Sequence, residues 1–196
     1  MKLTTIIFAI MTASMFAGCT GSNIIMDKNV NKTEIQIGDT FPTMKGETLG
    51  GVEMELPKDL KSKVSILILG FSYKSRYQVE PWGKEVSEVL KQQPELAFLE
   101  MPMMGGGLQY LMKPFTGMGM RSGTPKVAHN NVMCIYGSNS ELQRYFNVVD
   151  KDAAYLFVLD REGRIRWKYV GAITDDAYHQ LKNMVSDLLK PDYTKN

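Results

Sequence analysis

The sequence predicts an α/β domain: a mixed central sheet with helices on both faces, an N-terminal hairpin and a Gly/Met-rich insertion between its halves. Three observations carry this prediction. Val64 to Phe71 is a nearly unbroken apolar, partly β-branched run, as expected of a central strand covered on both faces. A helical pattern and a second apolar run follow at the spacing of a right-handed parallel crossover. Near the C-terminal end, two alternating runs joined by a tight turn precede an amphipathic helix.

Each element has its own warrant. Leu49, Val52, Met54 and Leu56 fall on one side of a loosely alternating stretch with Gly50-Gly51 at its turn, which predicts an edge hairpin closed by Pro57. Trp82, Val86, Val89 and Leu90 recur at helical spacing after Pro81, a residue well suited to a first helical turn because its missing N–H would be unpaired there. Leu96 to Met101 reads as the second strand and Asn131 to Tyr136 as a third. A short helix then turns Leu142, Tyr145 and Phe146 inward. Tyr155 to Leu159 is again a strand, and Asp160-Arg161-Glu162-Gly163 is a turn. Beyond it Ile165, Trp167 and Tyr169 alternate with Arg164, Arg166 and Lys168, an antiparallel hairpin with one face on a core. A last helix starts at a Thr174 cap, places Asp175 and Asp176 where carboxylates complement the helix dipole, and ends before Pro191.

The first eighteen residues have a different character. Lys2 is followed by an apolar stretch from Leu3 to Phe16, and Phe16-Ala17-Gly18-Cys19 closes it with small residues before a cysteine. Residues 1–18 therefore read as an export signal. The competing reading, a short membrane anchor, is disfavoured because the stretch falls short of the roughly 20 apolar residues of a spanning helix. The pattern resembles the lipobox of bacterial lipoproteins, which implies diacylglyceryl attachment at Cys19 and a protein held at a membrane of the bacterial cell envelope by its N-terminal lipid, palmitate among the chains. Residues 19–36 are polar and unpatterned, a tether whose flexible reach is on the order of 25 Å. Residues 37–190 form the domain, and 191–196 a tail.

Composition removes several function classes. Of 196 residues, 44% are hydrophobic and 22% charged, which is globular rather than disordered. Lys and Arg (23) nearly balance Asp and Glu (21), and no basic run gathers phosphates, so nucleic acid is not an expected partner. Two cysteines and two histidines build neither a disulfide scaffold nor a three-imidazole metal centre, and no cofactor is expected.

The order strand, helix, strand, later hairpin and closing helix is that of a thioredoxin-like three-layer sandwich. Phe157-Val158-Leu159-Asp160-Arg161-Glu162-Gly163-Arg164-Ile165-Arg166-Trp167 is similar to the terminal hairpin of peroxiredoxins and thiol reductases, and Gly38-Asp39-Thr40-Phe41-Pro42 to their leading segment. A closer resemblance lies in Met118-Gly119-Met120-Arg121-Ser122-Gly123-Thr124-Pro125, in Val132 to Tyr136 and in Arg166-Trp167. These resemble the cysteine-free thioredoxin-like group that includes the mitochondrial ATP synthase assembly factor. That resemblance implies a chaperone-like role, binding subunits of a membrane complex without turnover.

The superfamily's chemistry needs a thiolate between central strand and following helix. Here Phe71 to Trp82 contains Ser72 and Ser75 and no cysteine, and Ala153-Ala154 stands where relatives carry a cis-proline. The expectation is a redox-inactive binding or assembly module with protein partners in the cell envelope. Its candidate surface is Tyr73, Arg76, Tyr77, Trp82 and Arg121, aromatic and guanidinium types that dominate interfaces. Trp82 also fits the core, since it lies on the apolar stripe of its helix. Two alternatives stay open. Cys134, mid-strand, is either a small buried hydrophobe or the thiol of an oxidoreductase or peroxidase relative. Six of 14 methionines lie between Met101 and Met120, and Met101, Met103 and Met104 offer soft thioether ligands to Cu(I), or a contact surface, or simple core.

Overall fold

The computed structural model describes residues 34–93, 95–105, 113–136, 140–190 and 193. The signal segment, Cys19, most of the tether and nearly all of the tail lie outside these residues.

Seven strands form one sheet. They are β1 (Met44–Thr48), β2 (Glu53–Leu56), β3 (Ser65–Gly70), β4 (Ala97–Met104), β5 (Met133–Tyr136), β6 (Ala154–Leu159) and β7 (Ile165–Val170), in the spatial order β2-β1-β5-β4-β3-β6-β7. β3 runs parallel to β4 and β4 to β5, whereas β1 joins β5, and β6 joins β3, antiparallel. Four helices are described: α1 (Arg76–Gln92), α2 (Lys113–Gly123), α3 (Ser140–Tyr145) and α4 (Asp175–Leu189). Among the described residues no helix is long and apolar enough to cross a membrane.

The unbroken apolar run of β3 follows from its position. Ile66 and Ile68 face a core built with Trp82 and Val86 of α1 and with Ala177, Leu181, Val185 and Leu188 of α4. Leu67 and Leu69 face the opposite core with Leu142 and Tyr145 of α3 and the aromatic group Phe41, Phe146 and Phe157. All four β3 residues are fully buried, so truncating any one to Ala removes about 2–5 kcal/mol. α4 is capped as its sequence predicts, with Thr174 Oγ1 accepting from Ala177 N at 3.2 Å.

Five local expectations are corrected. The edge hairpin is present, but it begins at Met44 and its apolar residues do not share one side: Met54 and Leu56 join the core around Phe41, Leu49 packs on the opposite face beside Cys134, and Val52 is half exposed in the turn. α1 begins at Arg76, which puts Pro81 inside the helix instead of in its first turn. The Ser72–Ser75 turn nucleates those extra residues. β4 runs on to Met104, so Met101, Met103 and Met104 belong to a strand and not to an insertion. Ile165 does not share a face with Trp167 and Tyr169: a bulge opposite Val158 and Leu159 inserts Arg166, sending Ile165 to one core and the two aromatics to the other. The domain also starts earlier than Ile37, since Ile35 is buried and its N–H donates to Tyr145 O at 2.9 Å.

Candidate functional site

Beyond Phe71, which packs against Phe146 and Tyr155, the β3–α1 loop is held by hydrogen bonds. Ser72 Oγ donates to Asp152 Oδ1 at 2.6 Å and accepts from the backbone N–H groups of Lys74 and Ser75 at 3.0 and 3.1 Å. Ser75 Oγ, buried, donates back to Ser72 O at 2.7 Å. Lys74 Nζ lies 3.9 Å from Asp152 Oδ2. Across the gap, Ala154 N donates to Gln78 Oε1 at 3.2 Å, and Ala154 pairs with Gly70. The loop is thereby sewn to the start of β6. Nucleophilic serine needs a neighbouring base of near-neutral pKa. The partners of Ser72 are a carboxylate and two backbone amides, with no imidazole among them.

Above this lattice the loop presents an aromatic and cationic cluster. The Arg76 guanidinium lies 4.7 Å from the Tyr73 ring centroid and 4.9 Å from that of Tyr77, and Arg76 Nη1 donates to Tyr73 Oη at 2.7 Å. Tyr73 is 75% and Tyr77 64% exposed, an unusual display for large aromatic rings. Beside them a cleft of about 720 Å³ opens between α1 and the start of α4, lined by Tyr77, Glu80, Lys84, Ile173, Asp175 and Tyr178.

The other two candidates for this surface lie elsewhere. Trp82 is fully buried on the inner side of α1. Its Nε1 donates to Gly171 O at 3.0 Å and its ring meets Tyr169 edge-on, so it fastens the helix to the hairpin and offers nothing to a partner. Arg121 ends α2 and holds that helix to β1: Nε donates to Leu49 O at 2.9 Å, and Nη2 lies 3.9 Å from Glu47 Oε1. β1 is three strands from β3, roughly 14 Å across the sheet.

The sulfur atoms are also redistributed. Met101 and Met103 are buried in the core on the α3 face. Met104 points to the other face of the sheet, where it packs with Leu49, Val132, Cys134, Tyr136 and Met120. The three methionines singled out in the sequence therefore cannot meet at one ion. Cys134 is buried and in no disulfide, and Sγ donates to Met120 Sδ at 3.8 Å. Among the described residues no group of three or more His, Cys, Asp or Glu is placed to hold a metal.

Glu100 is a feature that sequence reasoning missed. It stands in β4 with its carboxyl against Gly83 of α1, where burial, with Glu80 adding to it, pushes its pKa up to about 7. The signal was present: Glu100 interrupts the apolar run Phe98-Leu99-Glu100-Met101.

This architecture is thioredoxin-like. Similar solved structures include a thiol:disulfide interchange protein, DsbE, from Chlorobium tepidum (TM-score 0.55, 16% identity, 80% of this chain and 100% of that one). The exposed lipoprotein thioredoxin Etrx1 of Streptococcus pneumoniae is also similar (TM-score 0.52, 16% identity, 74% of this chain and 98% of that one). So is BsSco, of the Sco family of cytochrome c oxidase assembly proteins (TM-score 0.52, 12% identity, 80% of this chain and 99% of that one). At these identities the likeness establishes the fold alone. No individual curated protein aligns significantly with the chain. The family model described as ATP10 protein matches residues 37–188, and the chain belongs to that family. The resemblance of its Met118–Pro125 and Arg166-Trp167 motifs to the ATP synthase assembly factor group is upheld at this level.

Proposed function

We propose that this ATP10-family domain is a lipid-anchored assembly module of the bacterial cell envelope, one that grips protein subunits of a membrane complex and performs no thiol exchange. The β3–α1 loop carries the reading. Ser72 and Ser75 stand between the central strand and its helix, and both hydroxyls donate to groups of the protein itself. A serine hydroxyl has neither an accessible anion nor a disulfide to cycle through. What the loop exposes is an arginine stacked between two tyrosines, side chains that supply large contact area and few rotors to immobilise. Acyl chains on Cys19, at about 0.8 kcal/mol per buried methylene, keep the domain at its bilayer.

Crosslinking in intact cells followed by mass spectrometry tests this. Wild type should capture a recurrent membrane-complex subunit, a Tyr73→Ala/Arg76→Ala/Tyr77→Ala variant should lose it, and Cys19→Ser should leave the membrane fraction. Retention of the partner by the triple variant defeats the assignment of the surface. Cys134-dependent reduction of insulin or consumption of peroxide by the purified protein defeats the claim that no thiol chemistry occurs.

A further inference from the structure

We propose that Cys134, Met120 and Met104 form a binding site for a soft monovalent metal ion, Cu(I), between the sheet and α2. The site is independent of the tyrosine-arginine surface: it lies on β4, β5 and α2, and its success or failure leaves the assembly reading untouched.

Spacing is the first argument. Cys134 Sγ and Met120 Sδ are 3.8 Å apart. Two sulfurs that bind one ion at about 2.3 Å with a near-tetrahedral angle stand about 3.8 Å from each other. The pair is thus already at ligand separation. The Met104 thioether side chain packs against the same cluster from β4, beside Tyr136, its cross-strand partner, and is the third candidate ligand. Thiolate and thioether are the ligand types that select Cu(I) over harder ions.

Charge is the second argument. Leu49, Val132 and Tyr136 surround the sulfurs, and the charged groups beside them, Glu47 opposite Cys134 and Arg121 next to Met120, neutralise each other, so any net charge added there is costly. One thiolate and one monovalent cation sum to zero, whereas a divalent ion would bury an uncompensated positive charge. Binding displaces the thiol proton of Cys134 to solvent and moves no electron, so the ion must arrive already as Cu(I), from a reduced copper donor.

Preorganisation and access complete the case. Arg121, next to Met120, is tied to Leu49 O and Glu47, which fixes the register of α2 over the sheet and holds Met120 where it is. Cys134 is buried, but Met104 and Met120 are only partly so, and they give the ion a way in.

The experiment is an anaerobic competition titration of the full chain in detergent against the Cu(I)–bicinchoninate complex, with X-ray absorption on the loaded protein. Wild type should take one Cu(I), with sulfur scatterers at about 2.3 Å. Cys134→Ser should abolish retention, and Met120→Leu and Met104→Leu should each weaken it on the order of tenfold. Met101→Leu, on the opposite face, should titrate as wild type. Failure of wild type to withdraw Cu(I), nitrogen or oxygen scatterers alone, or a Met120→Leu titration identical to wild type would each overturn the proposal. Met120→Leu conserves side-chain volume, so its result decides the matter even where Cys134→Ser fails to fold.

Discussion

Ser72 Oγ and Asp152 Oδ1 are separated by eighty residues in the chain and by 2.6 Å in the fold. This bond joins the loop after β3 to the loop before β6, and Ser72 is at the same time the acceptor for two backbone N–H groups. Ser72→Ala removes the acceptor and the donor together. The expected loss is about 1–3 kcal/mol of stability, read as a lowered urea midpoint. Faster amide exchange at Lys74 and Ser75 should accompany it. Unchanged exchange there would show that the loop is held by something else.

Glu100 makes stability fall as pH rises. Its folded pKa is raised from 4.5 to about 7, so between those values the folded state holds a proton that the unfolded state has released. The contribution is fully present below about pH 4.5, is lost as pH climbs through about 7, and amounts to ~3 kcal/mol across that window. Glu100→Gln, neutral at every pH, should flatten the dependence of the unfolding free energy between pH 5 and 7, and a slope that survives it assigns the proton to another group.

Asp160 acts with the opposite sign. Burial opposes its ionisation, but hydrogen bonds from Arg164 N, from Arg166 and from Glu162 N outweigh burial and hold its pKa below the usual carboxylate value. Its contribution is present above the unfolded pKa and is lost as pH falls through the folded one. Arg166 Nε donates to Asp160 Oδ2 at 2.7 Å with both side chains largely buried. Asp160→Ala strands a buried guanidinium and should cost about 3–5 kcal/mol by thermal or urea unfolding. The loss should shrink toward low pH.

Trp82 separates packing from hydrogen bonding. Trp82→Phe keeps an aromatic ring against Tyr169 but leaves Gly171 O without its indole donor, an expected loss of about 1–2 kcal/mol. Trp82→Ala empties the site and should cost about 3–5 kcal/mol. Neither change touches the exposed tyrosines, so partner capture by the folded fraction should be preserved.

Elements whose pattern reflects burial were legible. β3 is apolar from Ile66 to Leu69 because both of its faces are covered, and α4 shows its Thr174 cap and inward stripe in the chain itself. What the sequence hid depends on partners distant along the chain. The true start of α1 needs the Ser72–Ser75 turn that Asp152 secures, and without that knowledge Pro81 looks like a beginning. The bulge at Arg166 exists with the Asp160 pairing and has no local signature. For the candidate surface, residue type singled out Tyr73 and Tyr77, which the fold exposes, but it could not show that Trp82 turns inward or that Arg121 serves β1. The meeting of Met120 with Cys134 likewise depends on how α2 lies across the sheet.

Pro81 has a mechanical consequence. Lacking an N–H, it gives the Tyr77 carbonyl one turn earlier no helical hydrogen bond, so a rung is missing between the tip of α1 and its shaft. The shaft is riveted to the hairpin through Trp82, immediately after the gap. Force applied at Tyr73 or Tyr77 is therefore carried into the start of β6 through Ser72–Asp152 and Gln78–Ala154 more than along the shaft of α1.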